Sequence, residues 1–317
     1  METNKLNWRH AAAAGTVALA GMALVNRQRT QAAERANPAT GGTVEINGVR
    51  LHYVEEGSGP PLLLLHGNGT NVEDWRASGL LARLADRHRV IAFDRPGFGY
   101  SQRPRGTVWT PAAQARLIAD ALGALELPAM PVVGHSFGTL VAVAMALHRP
   151  EVVSGLALLS GYYFPTARVD AVLGATPAIP VVGDVMRYTT SPLLGAATFP
   201  AVARHIFSPA DVPDAFVQAN KALALRPGQI KAEAGDSGLI VPAAAAYQGR
   251  YGELRIPVAI AHGTGDKLID PDQSERLHAA VAGSTFHPIE GAGHMLHYPR
   301  TDAVAEVIGG VVARARS

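Results

Sequence analysis

The sequence predicts an α/β protein: a mostly parallel, eight-stranded sheet with helices on both faces and a helical cap inserted late in the chain. Three observations carry this. Short apolar runs alternate with helix-like stretches along most of the chain, the pattern of parallel strands joined by crossovers. Strand-like alternation on both sides of Asn47-Gly48 signals a hairpin, which adds antiparallel strands at one edge. Between residues 161 and 255 the alternation stops, over a segment too long to be bare loop in a compact domain.

The elements follow in order. Residues 43–46 and 49–55 make the hairpin. Residues 62–65 are wholly apolar and read as a buried central strand. Residues 72–85 have helical spacing, 89–93 form a strand, and 111–125 form an amphipathic helix. The run 130–133 is a buried strand, 137–148 a helix packed on the sheet, and 153–159 another strand. Downstream, strands at 257–261 and 285–289 flank a helix at 272–281, and 303–313 closes the chain as a helix. The intervening cap carries Leu173, Ile179, Val182, Leu194, Phe199 and Phe216, and its prolines, among them Pro177, Pro180, Pro192, Pro200 and Pro242, should break it into short helices. We expect its apolar stripe to be mostly its own core.

Composition narrows the functional classes. With 317 residues, 48% of them hydrophobic, there is ample material for one large domain. The absence of cysteine excludes disulfides, thiolate metal sites and a cysteine nucleophile. Of 28 basic and 26 acidic residues, five and two fall within the first 36, which leaves the body at a net charge of −1. Nothing in that balance favours nucleic acid.

Residues 11–25 are an uninterrupted small and apolar run preceded by Lys5 and Arg9. The pattern is that of a secretory leader, with Thr30-Gln31-Ala32 as a weak cleavage site. An uncleaved membrane tether through residues 11–25 is the second reading, although the run is shorter than the ~20 residues of a comfortable span. An alanine-rich packing helix is the third. Residues 26–42 read as a polar linker. The chain therefore divides into a leader or anchor with linker (1–36), a first core segment (37–161), the cap (162–255) and a second core segment (256–317), with an exported or membrane-anchored location expected.

The chemistry centres on Gly134-His135-Ser136-Phe137-Gly138, a Gly-x-Ser-x-Gly between a strand and a helix. A tight turn there lifts the Ser136 hydroxyl clear of the backbone at the positive end of a helix. A serine hydroxyl needs a base, and the base an orienting carboxylate. In a parallel sheet these gather at the carboxyl ends of strands. Asp266 follows the strand at 257–261, and His294 follows the strand at 285–289, both on glycine-rich turns. Asp270 and Asp272 rival Asp266, and His297 rivals His294. His66, His135 and His262 read as structural, and Asp94 and Arg95 as residues that hold a turn.

At this point the chain resembles the α/β-hydrolase fold superfamily over about residues 43–315. It is similar to the capped branch with esterases, haloalkane dehalogenases, epoxide hydrolases and C–C bond hydrolases. The motifs are the His66-Gly67 turn, Asp94 to Ser101, the Ser136 turn, the turn at Asp266, and Gly291-Ala292-Gly293-His294. The resemblance implies that Ser136 is the nucleophile, His294 the general base and Asp266 its orienting acid. It also implies an oxyanion hole from the backbone N–H groups of Asn68 and Phe137. Dehalogenases and epoxide hydrolases use an aspartate where this chain has Ser136, so an alkyl-enzyme mechanism is not expected. The expected activity is hydrolysis of a carboxylic ester of a small, largely apolar substrate, with no metal or organic cofactor. C–C bond hydrolysis and perhydrolysis use the same three residues. Outside enzymology, the rivals are a ligand-binding or sensing protein of the same fold and a membrane-tethered interaction domain.

Overall fold

The computed structural model describes residues 2–316, with side chains from Trp8 onward. Helix α1 (Glu2–Ala36) precedes the hairpin β1 (Gly42–Ile46) and β2 (Val49–Glu56). Then come β3 (Pro61–Leu65), α2 (Glu73–Ala77), α3 (Leu80–Ala85), β4 (Arg89–Phe93) and α4 (Pro111–Ala124). The central crossover is β5 (Met130–His135), α5 (Phe137–His148) and β6 (Val153–Leu159). Five cap helices follow: α6 (Val169–Gly174), α7 (Val182–Tyr188), α8 (Thr190–Phe207), α9 (Asp214–Ala224) and α10 (Pro227–Tyr247). The chain closes with β7 (Val258–Gly263), α11 (Asp272–Ala280), β8 (Thr285–Ile289) and α12 (Thr301–Arg314).

The eight strands form one sheet in the order β1-β2-β4-β3-β5-β6-β7-β8. Only the pairs β1·β2 and β2·β4 are antiparallel. Period-two alternation sends Leu62, Leu64, Val90, Ala92, Ala157 and Leu159 to one face, under α3 and α12. It sends Leu63, Leu65, Ile91, Phe93, Leu156 and Leu158 to the other, under α4 and α5. Both faces are thus dry, and the strands read as unbroken apolar runs for that reason. Asn47 and Gly48, at φ 51° and 74°, make the tight turn of the first hairpin.

Four sequence expectations are corrected. The helix expected over 72–85 is split at Gly79, whose φ of 76° ends one helix and starts another. Pro200 and Pro242 lie inside α8 and α10 instead of breaking the cap there, so two of the cap helices run for 18 and 21 residues. The expected linker over 26–42 is helical as far as Ala36. It packs on the cap: the buried Asn26 donates through Nδ2 to the carbonyls of Tyr188 and Thr189 at 3.0 and 2.7 Å, and Arg226 pairs with Glu34. Finally, the cap's apolar residues are only partly its core. Phe207, Phe216 and Ala203 pack with Met295 over the turn beside His294, but Leu173, Val182 and Leu194 are 66%, 57% and 66% exposed.

Candidate active site

The site begins with a strained serine. As β5 passes into α5, Ser136 is held at φ 52°, ψ −122°, a conformation ordinary side chains avoid. Its neighbours explain how the turn is held. A Cβ on Gly134 would lie 2.6 Å from the Gly138 carbonyl oxygen, and one on Gly138 would collide with the Leu65 carbonyl. Both must be glycine for α5 to start against β3. Ser136 N–H donates to Leu159 O at 2.9 Å, and Thr139 Oγ1 donates to Ser136 O at 2.6 Å. Ser136 is partly exposed, whereas His135 and Phe137 are buried.

His294 and Asp266 arrive from the ends of β8 and β7. The Ser136 hydroxyl lies 2.9 Å from His294 Nε2, and His294 Nδ1 lies 2.8 Å from Asp266 Oδ2. A carboxylate only accepts, so Nδ1 carries the proton and Nε2 receives the serine hydroxyl. Oδ1 of Asp266 accepts from Leu268 and Ile269 N–H at 2.8 and 3.0 Å. Burial opposes the charged form of Asp266, but attraction to His294 and hydrogen bonds from His262 and His294 outweigh it. They hold the carboxyl well below the usual carboxylate range. Asp270 and Asp272 bond to one another's segment instead, with Asp270 accepting from Asp272 N–H.

His262 is closer to this chemistry than sequence reading placed it. Its Nε2 is 3.0 Å from Asp266 Oδ2, and its Nδ1 is 2.7 Å from Ser274 Oγ. It braces the Asp266 carboxylate from behind. A histidine at a strand end carries no sequence mark of that contact, which depends on the turn folding back by four residues.

The loop after β3 is laid directly on Ser136. A Cβ on Gly67 would stand 3.0 Å from Ser136 Cβ, which puts the neighbouring Asn68 backbone beside the serine. Arg95 pins this loop. Its Nε donates to His66 O at 2.8 Å, and its Nη2 donates to Gly67 O and Asn68 Oδ1 at 3.1 and 2.9 Å. Its Nη1 donates to Gln114 and to Asp236 of α10, at 2.9 and 2.5 Å. Burial pushes the guanidinium pKa down, and Asp236 works against that shift. Arg95 thus ties cap to core, and Asp236 is a cap residue with no sequence signal. His66 is satisfied on both ring nitrogens, by Arg95 N–H and Gly67 O. Burial and the nearby Arg95 lower its pKa to about 4, so it is neutral.

Behind Ser136 is a second buried cluster. His297 Nε2 meets Asp74 Oδ2 at 3.0 Å, and Tyr298 O–H donates to Asp74 Oδ1 at 2.8 Å. The His135 ring lies 4.7 Å from His297 and 5.0 Å from His294. His297 is therefore engaged with Asp74, and His294 alone of the two reaches Ser136. Burial, then the like charges of His297 and His294, push His135 well below its ordinary value. Asp74, His135 and His297 have ligand atoms within 4.8 Å of one another, a spacing that would suit a metal ion. Two of these three groups already bond to each other.

Comparison with known proteins places this geometry in a family. A family model described as the alpha/beta hydrolase fold matches residues 60–301. The chain belongs to the α/β-hydrolase fold family. It is 28% identical over 285 residues to 2-hydroxy-6-oxo-2,4-heptadienoate hydrolase of Pseudomonas putida, covering 87% of this chain and 98% of that one. Among solved structures it resembles a thermophilic esterase from Thermogutta terrifontis at a TM-score of 0.70 and 22% identity, over 87% and 97% of the two chains. It also resembles a bacterial membrane phospholipase A, described as a virulence factor, at a TM-score of 0.68 and 21% identity over 100% of both chains. At those identities the structures share the fold.

Proposed function

We propose that this protein is a serine hydrolase that cleaves a carboxylic ester of a small, largely apolar substrate through an acyl-enzyme. The observation that carries the reading is the unbroken hydrogen-bonded chain from Asp266 through His294 to Ser136. Ser136 Oγ attacks the ester carbonyl while His294 Nε2 takes its proton. The N–H groups of Asn68 and Phe137 receive the oxyanion, and His294 returns the proton to the departing alcohol. Water then attacks the acyl group by the same route, freeing the acid and Ser136. Asp266 keeps His294 in the tautomer that leaves Nε2 free to accept.

The test is turnover of a 4-nitrophenyl ester series beside the Ser136→Ala variant, with fluorophosphonate labelling of both. Turnover and labelling that vanish together in the variant are expected. Folded protein that neither turns over nor labels would defeat the reading and favour ligand binding without catalysis. C–C bond hydrolysis is the second reading, favoured by the nearly full-length likeness to the Pseudomonas putida enzyme. Labelled protein that ignores esters but consumes 2-hydroxy-6-oxo-2,4-heptadienoate would establish it.

We further propose that α1 is retained and holds the enzyme at a membrane surface. No single helix is long and apolar enough to cross a membrane among the described residues. A leader destined for removal has no reason to bury Asn26 against the cap. The apolar half of α1 leaves the body beside α7, where Val181, Val182 and Val185 are exposed. That arrangement suits a helix and cap lying in the lipid interface.

A further inference from the structure

Helix α10 lies across both loops that frame the site. Gln229 Oε1 accepts from Gly99 N–H at 3.0 Å. A Cβ on Gly97 would stand 2.7 Å from Ala232 Cβ. Asp236 binds Arg95 and Arg103. Residues 229, 233 and 236 share one face of the helix. Gln229 and Asp236 thus each have a partner on the loops. Glu233, between them, has neither a hydrogen bond nor an ion pair among the described residues. Its carboxylate hangs over the loop that carries Asn68: a carbon placed where a side chain would begin on Gly69 stands 3.5 Å from Oε1 and 3.8 Å from Oε2. Gly69 has φ +73°, so a turn without a side chain leaves that space open.

Glu233 is half-buried, and its carboxyl group has no partner among the described residues to keep it from pairing with a bound molecule. Arg95 and Arg103 are both taken by Asp236. Burial, and secondarily the like charge of Asp236, push Glu233 up to about 7. The charged group that acts on Glu233 is Asp236 on the same helix, and the arginines that α10 meets on the loop below, Arg95 and Arg103, are both paired with Asp236.

We propose that Glu233 is a substrate-recognition residue, forming with the Asn68–Gly69 turn a subsite that takes a hydrogen-bond donor, a hydroxyl or amine, on an otherwise apolar substrate. This rests on the serine-hydrolase reading, and it narrows the substrate class from apolar esters to apolar esters with one donor. The carboxylate accepts the donor's hydrogen and the turn's missing side chain makes room for it. A site built to pair a donor disfavours the analogue that lacks one, because the half-buried carboxyl is then left without that partner.

The test uses two matched pairs of esters, one with and without a terminal hydroxyl on the acyl part, the other with and without it on the alcohol. kcat/KM is compared in wild type, Glu233→Gln and Glu233→Leu. In at least one pair the wild type should prefer the hydroxylated ester by on the order of tenfold, and Glu233→Leu should abolish that preference, read as the ratio of kcat/KM within each pair. The wild-type preference should titrate near pH 7 and become flat with pH in Glu233→Gln. The same pairs are measured as equilibrium binding to Ser136→Ala, so the subsite is tested even if the protein turns no ester over. Equal handling of both members of both pairs by wild type and Glu233→Leu, in turnover and in binding, would overturn the subsite. Loss of fluorophosphonate labelling in wild type would instead overturn the hydrolase reading.

Discussion

The top of the sheet and the outer face of the cap follow opposite rules. At the sheet top, His294 and Asp266 are only 3% and 8% exposed, and their polar atoms are spoken for. Glycine is required at 134 and 138 because backbone crosses there. On the outer face, apolar side chains meet solvent. Of sixteen large exposed apolar residues among those described, five are on α1, ten lie between Val169 and Val202, and only Val108 is elsewhere. A body that hides its apolar residues so thoroughly does not lack material to cover the rest. The difference teaches that the two regions answer to different partners: a reacting group that demands fixed geometry, and an apolar surface that demands none.

The comparison breaks most sharply at Ser136. Ser136→Ala should lower kcat by roughly 10⁴-fold or more with the fold intact, since it removes only one partly exposed oxygen. Steady-state turnover and a thermal melt together check this. Asp266→Asn comes next. It keeps the shape but lets His294 take the wrong tautomer, and about 10⁴-fold in kcat is the expected loss. The carboxyl's lowered pKa gives the pH sign. Its stabilising contribution is present above the ordinary carboxylate value near 4 and is lost only as pH falls through the lowered folded value. Acid inactivation between pH 5 and 7 should therefore not follow Asp266, and the wild-type melt should show no step there that Asp266→Asn removes.

Much of this region is legible in sequence, for a steric reason. The turn at Ser136 can be built only with glycine on both sides, so the glycines announce the geometry. The order Ser136, Asp266, His294 follows from which strands end at the same edge. The α/β alternation survives because both faces of the sheet are buried. The cap and α1 are less legible. Residues 26–36 look like a linker by composition, because the bonds of Asn26 to cap carbonyls and of Glu34 to Arg226 are tertiary facts that composition does not carry. The apolar periodicity of α6 and α7 states that something covers them, not what. Glu233 and Asp236 sit three residues apart on one helix, and only the loops beneath them tell one role from the other.

The junction of the two regions is the Arg95–Asp236 pair, both fully buried. Removing one partner leaves an uncompensated charge, so Asp236→Ala should cost about 3–5 kcal/mol. Replacing both with apolar residues of similar volume should cost far less. Chemical denaturation of the single and double variants measures this. If the cap is held to the core chiefly through this pair, Asp236→Ala should also raise KM more than it lowers kcat. The triad has its own supports from Leu268, Ile269 and His262, and Asp236 touches none of them.

The smallest effect on the folded protein belongs to the outer face, and it is the most telling for location. Leu173→Asp and Val182→Asp add charges where side chains already meet water, so stability should change by about 0.5 kcal/mol or less. Turnover of a soluble short-chain ester should be unchanged, because neither residue approaches Ser136's hydrogen-bonded chain. Flotation with phospholipid vesicles should fall clearly for the pair of substitutions, since each places a charge where the lipid interface would receive an apolar side chain. A variant that floats as wild type does would detach the cap face from the membrane and leave α1 as the sole tether. A variant that melts early would instead show that these side chains pack in solution, and the contrast between the two regions would lose its basis.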